Sequence, residues 1–310
     1  MNRRKSNILI ENRKIVFLVN PISGTKSKEL LIKTIEQQTQ AAGIPFQVEF
    51  TNAEGNYTSL AKKIIAEKIT DVVICGGDGS VSQVTAALMD LDIRFGIIPM
   101  GSGNGLALAA GIPRNINKAL NIIYQEKDDW VDGFFINGNF SCMLGGVGFD
   151  AQVAHDFGKV KKRGLKTYIK LCAINFLCAK PYSFILEAKG KRIESAAYFI
   201  SIANSNQFGN NFTIAPQASL KDGLLDIVVV KGMNKFVLPL SIMGQLTGIN
   251  PLQQLSELID TRQILYFQTD QLVIHNPQHA PLHLDGEPLE TPDQLEISVH
   301  PKAFRLIHPG

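Results

Sequence analysis

The chain has 310 residues, of which 45% are hydrophobic and 19% charged, and its net charge at pH 7 is +3. A sequence this apolar can build a sizeable core, which excludes global disorder, and the length predicts about two domains of ordinary size. The small net charge gives no reason to expect a nucleic-acid partner.

The four cysteines form neither a CxxC pair nor a zinc pattern, so we expect buried free thiols in a reducing compartment. The apolar part of the basic N-terminus is too short for a signal peptide. No apolar run approaches the ~18 residues that span a bilayer. We therefore expect a cytoplasmic protein that meets membranes only from outside.

The first 124 residues alternate between strand and helix patterns. Strands are predicted at residues 14–20, 46–50, 72–75 and 95–99, and helices at 28–42, 58–67, 81–89, 106–110 and 116–124. This alternation predicts a parallel sheet with helices on both faces. In such sheets ligands bind at the carboxyl ends of the strands.

Three loops at that predicted edge are rich in glycine or small polar residues. The residues are Asn20, Pro21, Ser23, Gly24, Thr25 and Lys26 in the first loop, Gly76, Gly77, Asp78, Gly79, Ser80 and the nearby Ser82 in the second, and Gly101, Ser102, Gly103 and Asn104 in the third. Glycine lets the main chain approach a ligand closely, and helix N-termini suit phosphate. Ordinary strand–turn–helix junctions are the alternative, but two such glycine loops on neighbouring strands favour nucleotide phosphate binding.

After residue 130 the pattern changes to short strands separated by turn signals. They are predicted at residues 130–135, 139–144, 184–188, 197–203, 225–230, 263–267, 272–275, 282–285 and 295–299. This pattern is typical of an antiparallel sandwich, with a domain boundary near residues 132–137. The glycine cluster at residues 145–148 reads as a sharp bend before a helix. Asp150, which follows it, is either a helix N-cap or a residue that faces a cleft between the domains.

One concentrated basic run occupies residues 158–166 and precedes a predicted apolar helix at 167–179. A solvated loop before a core helix is one interpretation. The other is a segment that rests on an anionic membrane surface.

Three motifs together resemble the diacylglycerol kinase catalytic superfamily, which includes bacterial lipid kinases, sphingosine kinases and ceramide kinases. They are the Asn20-Pro21-x-Ser23-Gly24 loop, the loop from Gly76 to Ser80, and the loop from Gly101 to Asn104. The chain has no Walker A motif. The resemblance implies an N-terminal α/β domain of the NAD kinase/phosphofructokinase type (residues 1–134) and a C-terminal β-sandwich (135–299), with residues 300–310 packing back on the first domain. It also implies ATP and Mg²⁺ as cofactors, and it places Thr51 beside the nucleotide, although Thr51 alone reads equally as a helix cap.

The same resemblance assigns two acidic segments of the second half. It implies a structural Mg²⁺ held by the Asp222 carboxylate and the carbonyls of Ser219 and Leu224. On sequence alone, Asp222-Gly223 is an ordinary turn signal. Asp285-Gly286-Glu287 resembles the DGE motif that lipid kinases of this group carry near the nucleotide.

Phosphoryl transfer requires bound phosphates, a placed Mg²⁺ and an oriented nucleophile. We expect Asp78 to bind Mg²⁺ or orient the acceptor, and Glu287, with Asp285 as second choice, to accept the proton of the attacking hydroxyl. These acids are expected to converge at the terminal phosphate.

Diacylglycerol is the first choice of acceptor, and sphingoid bases, ceramide and phosphatidylglycerol are alternatives. NAD kinase and a non-catalytic lipid- or nucleotide-binding protein are rivals from other classes. A lipid substrate at the membrane surface and peripheral membrane contact are the expected partners, and a homodimer is compatible with the resemblance.

Overall fold

The structure is a computed structural model that describes residues 13–24, 27–160, 171, 174–175, 179–209, 212–213, 215–232 and 263–310. These residues form two compact units. One is the chain up to Val131 together with Ala303–Gly310, and the other is Asp132–Lys302. Both boundaries fall inside strands, Asp128–Ile136 and Gln294–Ile307, each of which runs from one unit into the other.

The first unit is a parallel sheet with connecting helices. Its elements are β1 (Ile15–Val19), α1 (Lys28–Ala41), β2 (Phe46–Phe50), α2 (Thr58–Glu67), β3 (Asp71–Gly76), α3 (Asp78–Leu88), β4 (Arg94–Pro99), α4 (Gly105–Ala109) and α5 (Ile116–Tyr124). The strand order is β2-β1-β3-β4, and all three pairings are parallel. Every residue of β1 and β3 is buried, as expected for strands covered on both faces.

The end of the chain belongs to this same sheet. The last part of Gln294–Ile307 runs parallel to β4, with Arg305 opposite Arg94 and Leu306 opposite Phe95. The Arg305 Nε donates to Asp128 Oδ2 at 2.7 Å. At the amino end of β3 the fully buried Asp71 accepts hydrogen bonds from Arg13 and Arg94. The free-energy cost of burying this charge is offset because both carboxylate oxygens are paired with guanidinium groups.

The second unit is built almost entirely of antiparallel strands. Its elements are β5 (Asp128–Ile136), β6 (Asn139–Ser141), β7 (Leu144–Gly148), α6 (Phe149–Lys159), β8 (Tyr182–Ala188), β9 (Lys191–Ala197), β10 (Phe199–Ala203), β11 (Gln207–Gly209), β12 (Phe212–Thr213), β13 (Leu225–Val230), β14 (Ile264–Thr269), β15 (Gln271–His275), β16 (Leu282–Leu284), β17 (Glu287–Leu289) and β18 (Gln294–Ile307).

Two sheets of this unit enclose one apolar core. The first has the strand order β14-β13-β10-β7-β16-β17, and the second contains β18-β15-β8-β9 with the β5–β6 hairpin beside β18. The core takes side chains from both sheets, among them Ile202 and Ile227 from the first and Leu186 and Ile274 from the second. The predicted fold class, a parallel α/β domain followed by an antiparallel sandwich, is confirmed.

Three local predictions are corrected. Helix α3 begins at Asp78 rather than residue 81, and the strand predicted at 139–144 is two strands, β6 and β7. The glycine cluster at 145–148 is not a bend but the buried strand β7. Strands β9, β11, β12 and β17 were not predicted. The expected buried thiols are found at Cys75 and Cys142, whereas Cys172 and Cys178 lie outside the described residues.

Candidate functional site

The three predicted loops of the first unit follow β1, β3 and β4, so they lie at one edge of its sheet. Main-chain hydrogen bonds connect them: Asn20 N donates to Cys75 O at 3.0 Å, and Met100 N donates to Gly76 O at 2.8 Å. The loops therefore form one continuous surface rather than three separate turns.

The first loop is held by the side chain of Asn20. Its Oδ1 accepts the Ile22 N–H at 3.0 Å and its Nδ2 donates to Ser80 Oγ at 2.7 Å, which ties the first loop to the second. Gly24 has φ +71°, and a Cβ there would lie 2.5 Å from Met100 O. Glycine is thus required at this position both by backbone conformation and by space. The predicted contact residue Thr25, and Lys26 beside it, lie outside the described residues.

Sequence reasoning missed Lys28, the first residue of α1. Its ammonium group donates a hydrogen bond to the Ser23 carbonyl and so stabilises the first loop. Burial lowers the pKa of Lys28, and the nearby Cys75 acts in the opposite direction. A lysine at a helix start carries no sequence signal for this role.

The second loop is largely the first turn of α3. Gly77 is the N-cap, and the first intrahelical bond runs from Val81 N to Gly77 O at 3.1 Å. The main-chain N–H groups of Asp78, Gly79 and Ser80 precede that bond, and such groups at a helix N-terminus suit an anion. Ser82 lies on the buried face of α3 with 7% of its surface exposed.

The third loop is closed by Asn104, which has φ +57°. Its Oδ1 accepts the Gly101 N–H at 2.8 Å and its Nδ2 donates to Gly101 O at 2.6 Å. Arg114 donates to the carbonyls of Ser102 and Gly103 at 3.3 and 3.0 Å. Asn104 is 3% exposed, so it shapes the loop from inside. The following helix, α4, has only five residues.

The second and third loops approach each other closely at Gly77 and Gly101. A Cβ on Gly101 would lie 2.6 Å from the Gly77 Cα, and a Cβ on Gly77 would lie 3.1 Å from the Gly101 Cα. Thr51, after β2, reaches this edge through its N–H bond to Val19 O at 3.0 Å. The helix-cap alternative for Thr51 is wrong, because the N-cap of α2 is Tyr57.

In the second unit, acidic and polar groups gather at one end of the six-stranded sheet. Strand register places Leu144 opposite Ala203, Ala203 opposite Asp226, and Gly145 opposite Leu284. The turn after Leu284 and the turn before β13 therefore belong to the same end of that sheet. These turns carry the predicted catalytic and metal-binding residues.

The turn between β16 and β17 contains Asp285, Gly286 and Glu287. Asp285 has φ +52°, and its Oδ1 accepts the Ser141 hydroxyl at 2.7 Å and the Leu144 N–H at 3.1 Å. Glu287 is exposed at the start of β17. The two carboxylates thus differ in kind, because Asp285 is anchored in the unit whereas Glu287 projects into solvent.

A buried histidine that the sequence did not indicate lies behind this turn. His283 Nε2 is 3.3 Å from Asp150 Oδ2, and His283 Nδ1 accepts the Gly286 N–H at 3.2 Å. Of the two alternatives for Asp150, the helix cap is wrong: the N-cap of α6 is Gly148, and Asp150 lies within the first turn.

The predicted metal turn, residues 219–224, is held by Asp132. That residue donates its N–H to Leu220 O at 2.8 Å and accepts the Gly223 N–H at 2.7 Å. The exposed Asp222 accepts the Leu224 N–H at 3.1 Å through one carboxylate oxygen. Burial raises the pKa of Asp226, and the negative charge of Asp222 raises it further.

This donor set fits a hard cation, which prefers oxygen ligands and would offset that repulsion. The site would use carbonyls of Ser219 and Leu224 besides Asp222. Within the described part of the chain, no cluster of three His, Cys, Asp or Glu side chains could hold a metal ion by itself.

Of the basic run, Lys159 ends α6 and residues 161–170 lie outside the described residues. Among the helices that the structure describes, none is long and apolar enough to cross a membrane.

Comparison with known families accounts for both units. Residues 14–134 match the diacylglycerol kinase catalytic domain. Residues 145–308 match the YegS C-terminal NAD kinase beta sandwich-like domain. The chain belongs to the diacylglycerol kinase catalytic-domain superfamily. The expected class, a kinase that transfers a phosphoryl group to an alcohol, is confirmed for this family.

Individual relatives of this superfamily match along nearly the whole chain. A protein of Shewanella frigidimarina named "Probable lipid kinase YegS-like" is 27% identical over 93% of this chain and 92% of its own length. A Bacillus subtilis protein named "Diacylglycerol kinase" is 25% identical over 87% of this chain and 88% of its own. The crystal structure of a putative diacylglycerol kinase from Bacillus anthracis superposes with a TM-score of 0.76 at 22% identity, covering 95% of both chains, which supports the fold.

Proposed function

We propose that the protein transfers the γ-phosphoryl group of ATP to the hydroxyl of a membrane lipid, with diacylglycerol as the acceptor and phosphatidic acid as the product. The observation that carries the proposal is the glycine contact between the second and third loops. Gly77 and Gly101 leave main chain, without side chains, at the edge where a nucleotide's phosphates would lie. Membership of the lipid kinase superfamily supports the acceptor class.

ATP would enter as its magnesium complex. The main-chain N–H groups at the start of α3 would hold phosphate oxygens, with the first loop beside them. Asp78, the first residue of α3, is the candidate to hold the magnesium of the nucleotide or to orient the acceptor hydroxyl. Phosphoryl transfer depends mainly on such positioning and on charge stabilisation rather than on covalent help from the protein.

Glu287 is the preferred proton acceptor. The Oδ1 atom of Asp285 already accepts two hydrogen bonds from the β6–β7 segment, so this carboxylate is held within the unit. Glu287 is exposed, so its carboxylate is open to an incoming hydroxyl. Asp285 remains the second candidate.

The turn at residues 219–224 would hold a second, structural magnesium ion through the Asp222 carboxylate and the carbonyls of Ser219 and Leu224. Such an ion would supply positive charge that fixes the turn in front of β13. It has no part in the transfer step.

The acceptor lies in a bilayer, so the enzyme must reach the membrane surface. We propose that the basic run at residues 158–166 makes this contact, because clustered lysines attract anionic headgroups. Neutralising its lysines should weaken sedimentation with vesicles that contain anionic lipid and leave turnover of detergent-dispersed lipid unchanged. Unchanged sedimentation would dismiss this role.

The direct test is ATP consumption with a panel of acceptors in matched detergent micelles: diacylglycerol, sphingosine, ceramide, phosphatidylglycerol, NAD and no acceptor. Diacylglycerol should give the highest turnover, with a phosphorylated lipid as product. A preference for another lipid would support the proposed lipid kinase reaction but would contradict diacylglycerol as the acceptor. Stimulation by NAD alone, or by no acceptor, would overturn the proposal.

A further inference from the structure

His283 is a buried polar residue in a strand that is otherwise apolar. Its side chain is 1% exposed, and it lies between Leu282 and Leu284 in β16. Both ring nitrogens have partners: Nε2 is 3.3 Å from Asp150 Oδ2, and Nδ1 is 3.2 Å from the Gly286 nitrogen. The ring therefore links helix α6 to the turn that carries Asp285 and Glu287.

The partners of His283 fix its tautomer. A main-chain N–H can only donate, so Nδ1 must accept the Gly286 hydrogen with its lone pair. The proton is then on Nε2, where it points at the Asp150 carboxylate. The other oxygen of Asp150 accepts the Ala151 N–H at 2.8 Å. Asp150 thus orients the ring, and the ring orients the turn.

Gly146 provides the space for this pair. It lies opposite His283 in the register of β7 and β16. A Cβ on Gly146 would lie 2.0 Å from Asp150 Oδ2 and 2.4 Å from His283 Nε2. An alanine at this position would collide with both members of the pair. Glycine is therefore required here because the Asp150–His283 hydrogen bond occupies the space of a side chain.

The turn that His283 holds is a two-residue hairpin turn between β16 and β17, with Leu284 opposite Glu287. Asp285 and Gly286 have φ values of +52° and +82°, and an Asp-Gly pair is favoured where both central residues of a hairpin turn have positive φ. Two hydrogen-bonded anchors join this turn to the rest of the unit: the Asp285 carboxylate bound to Ser141 and Leu144, and the Gly286 N–H bound to His283.

We propose that His283 is a positioning residue for the phosphoryl transfer. By accepting the Gly286 N–H it fixes the direction in which Asp285 and Glu287 present their carboxylates. This inference rests on the proposed function, which gives those two acids their roles. Because its side chain is 1% exposed, His283 itself would touch neither nucleotide nor lipid.

Two substitutions separate the two sides of the ring. His283→Asn retains a polar atom near the position of Nδ1 and can still accept the Gly286 N–H. His283→Gln places its amide nearer the position of Nε2 and loses that acceptor. Because a misplacement of about 1 Å can cost a hundredfold in rate, we expect kcat to fall about a hundredfold in His283→Gln. In His283→Asn we expect a loss of less than about tenfold, with KM for ATP within about twofold of wild type in both.

His155→Gln is the matched control, because His155 Nε2 lies 2.9 Å from Leu282 O in the same strand and has no bond to the turn. It should retain wild-type kcat, and all three variants should be compared at a temperature well below their measured Tm. Equal kcat in the Asn and Gln variants, or wild-type kcat in the Gln variant, would overturn the positioning role.

Glu287→Gln and Asp285→Asn, assayed in parallel, distinguish the two failures. If they lose turnover while His283→Gln keeps it, His283 has no positioning role and the proposed function stands. If Glu287→Gln and Asp285→Asn both keep turnover, the catalytic roles of these acids are wrong, and the inference about His283 is wrong with them.

Discussion

Replacing Gly101 by alanine tests the proposed phosphate-binding surface of the first unit. The new Cβ would lie 2.6 Å from the Gly77 Cα, and ordinary van der Waals contact begins at 3.4 Å, so the loops must separate by about 0.8 Å. Overpacking of this size costs about 1–3 kcal/mol of stability. A misplacement near 1 Å costs about a hundredfold in a well-aligned site. We therefore expect kcat/KM for ATP to fall about a hundredfold.

The assay is ADP release at varied ATP, with nucleotide affinity measured separately by calorimetry using a non-hydrolysable ATP analogue. Gly77→Ala should have a smaller effect, because its Cβ would lie 3.1 Å from the Gly101 Cα. Gly43→Ala is the control for stability. That residue has φ +68°, and a Cβ added there would meet no atom within 4 Å, so alanine should cost about 1–2 kcal/mol and leave nucleotide affinity unchanged. A folded Gly101→Ala protein that binds the analogue as tightly as wild type would refute the reasoning.

Two further predictions concern Lys28, which binds the first loop, and the proposed magnesium turn at Asp222. Lys28→Met should raise KM for ATP several-fold, because the Ser23 carbonyl loses its hydrogen-bond donor. The control Lys33→Met, on the exposed face of the same helix, should leave KM unchanged. Equal KM values in the two variants would contradict this prediction. Wild type should gain about 2.7 kcal/mol of unfolding free energy at Mg²⁺ one hundred times its Kd. Asp222→Asn should lose that gain, and the exposed Asp270→Asn should keep it; a full gain in Asp222→Asn would exclude the turn as the Mg²⁺ site.

The sequence predicted the first unit well, because its strands are short buried runs that end at glycine loops. The start of α3 was missed because Gly77 and Gly79 are typical of loops. Asp78 nevertheless begins the helix, since a carboxylate in the first turn is favoured by the helix dipole. Glycine is an acceptable N-cap, as at Gly77, but helix propensity gives no reason to place Gly79 within the first turn.

The second unit was predicted in outline, and the errors in that prediction have a common cause. Strand β7 has few side chains of its own, so it carries no strand pattern. Its glycines are required by what lies across the sheet, including the Asp150–His283 pair beside Gly146. His283 was missed for a related reason, because a lone histidine between leucines shows no pattern of its own and its partner Asp150 is distant in sequence.

The most direct test of the account is single-turnover phosphoryl transfer by Glu287→Gln. The exposed Glu290→Gln, three residues along the chain, is the matched control. Loss of a general base costs about 10²–10⁴-fold. We predict a loss in that range for Glu287→Gln with nucleotide affinity unchanged, and wild-type transfer for Glu290→Gln. Wild-type transfer by Glu287→Gln would contradict the assignment of Glu287 as the proton acceptor.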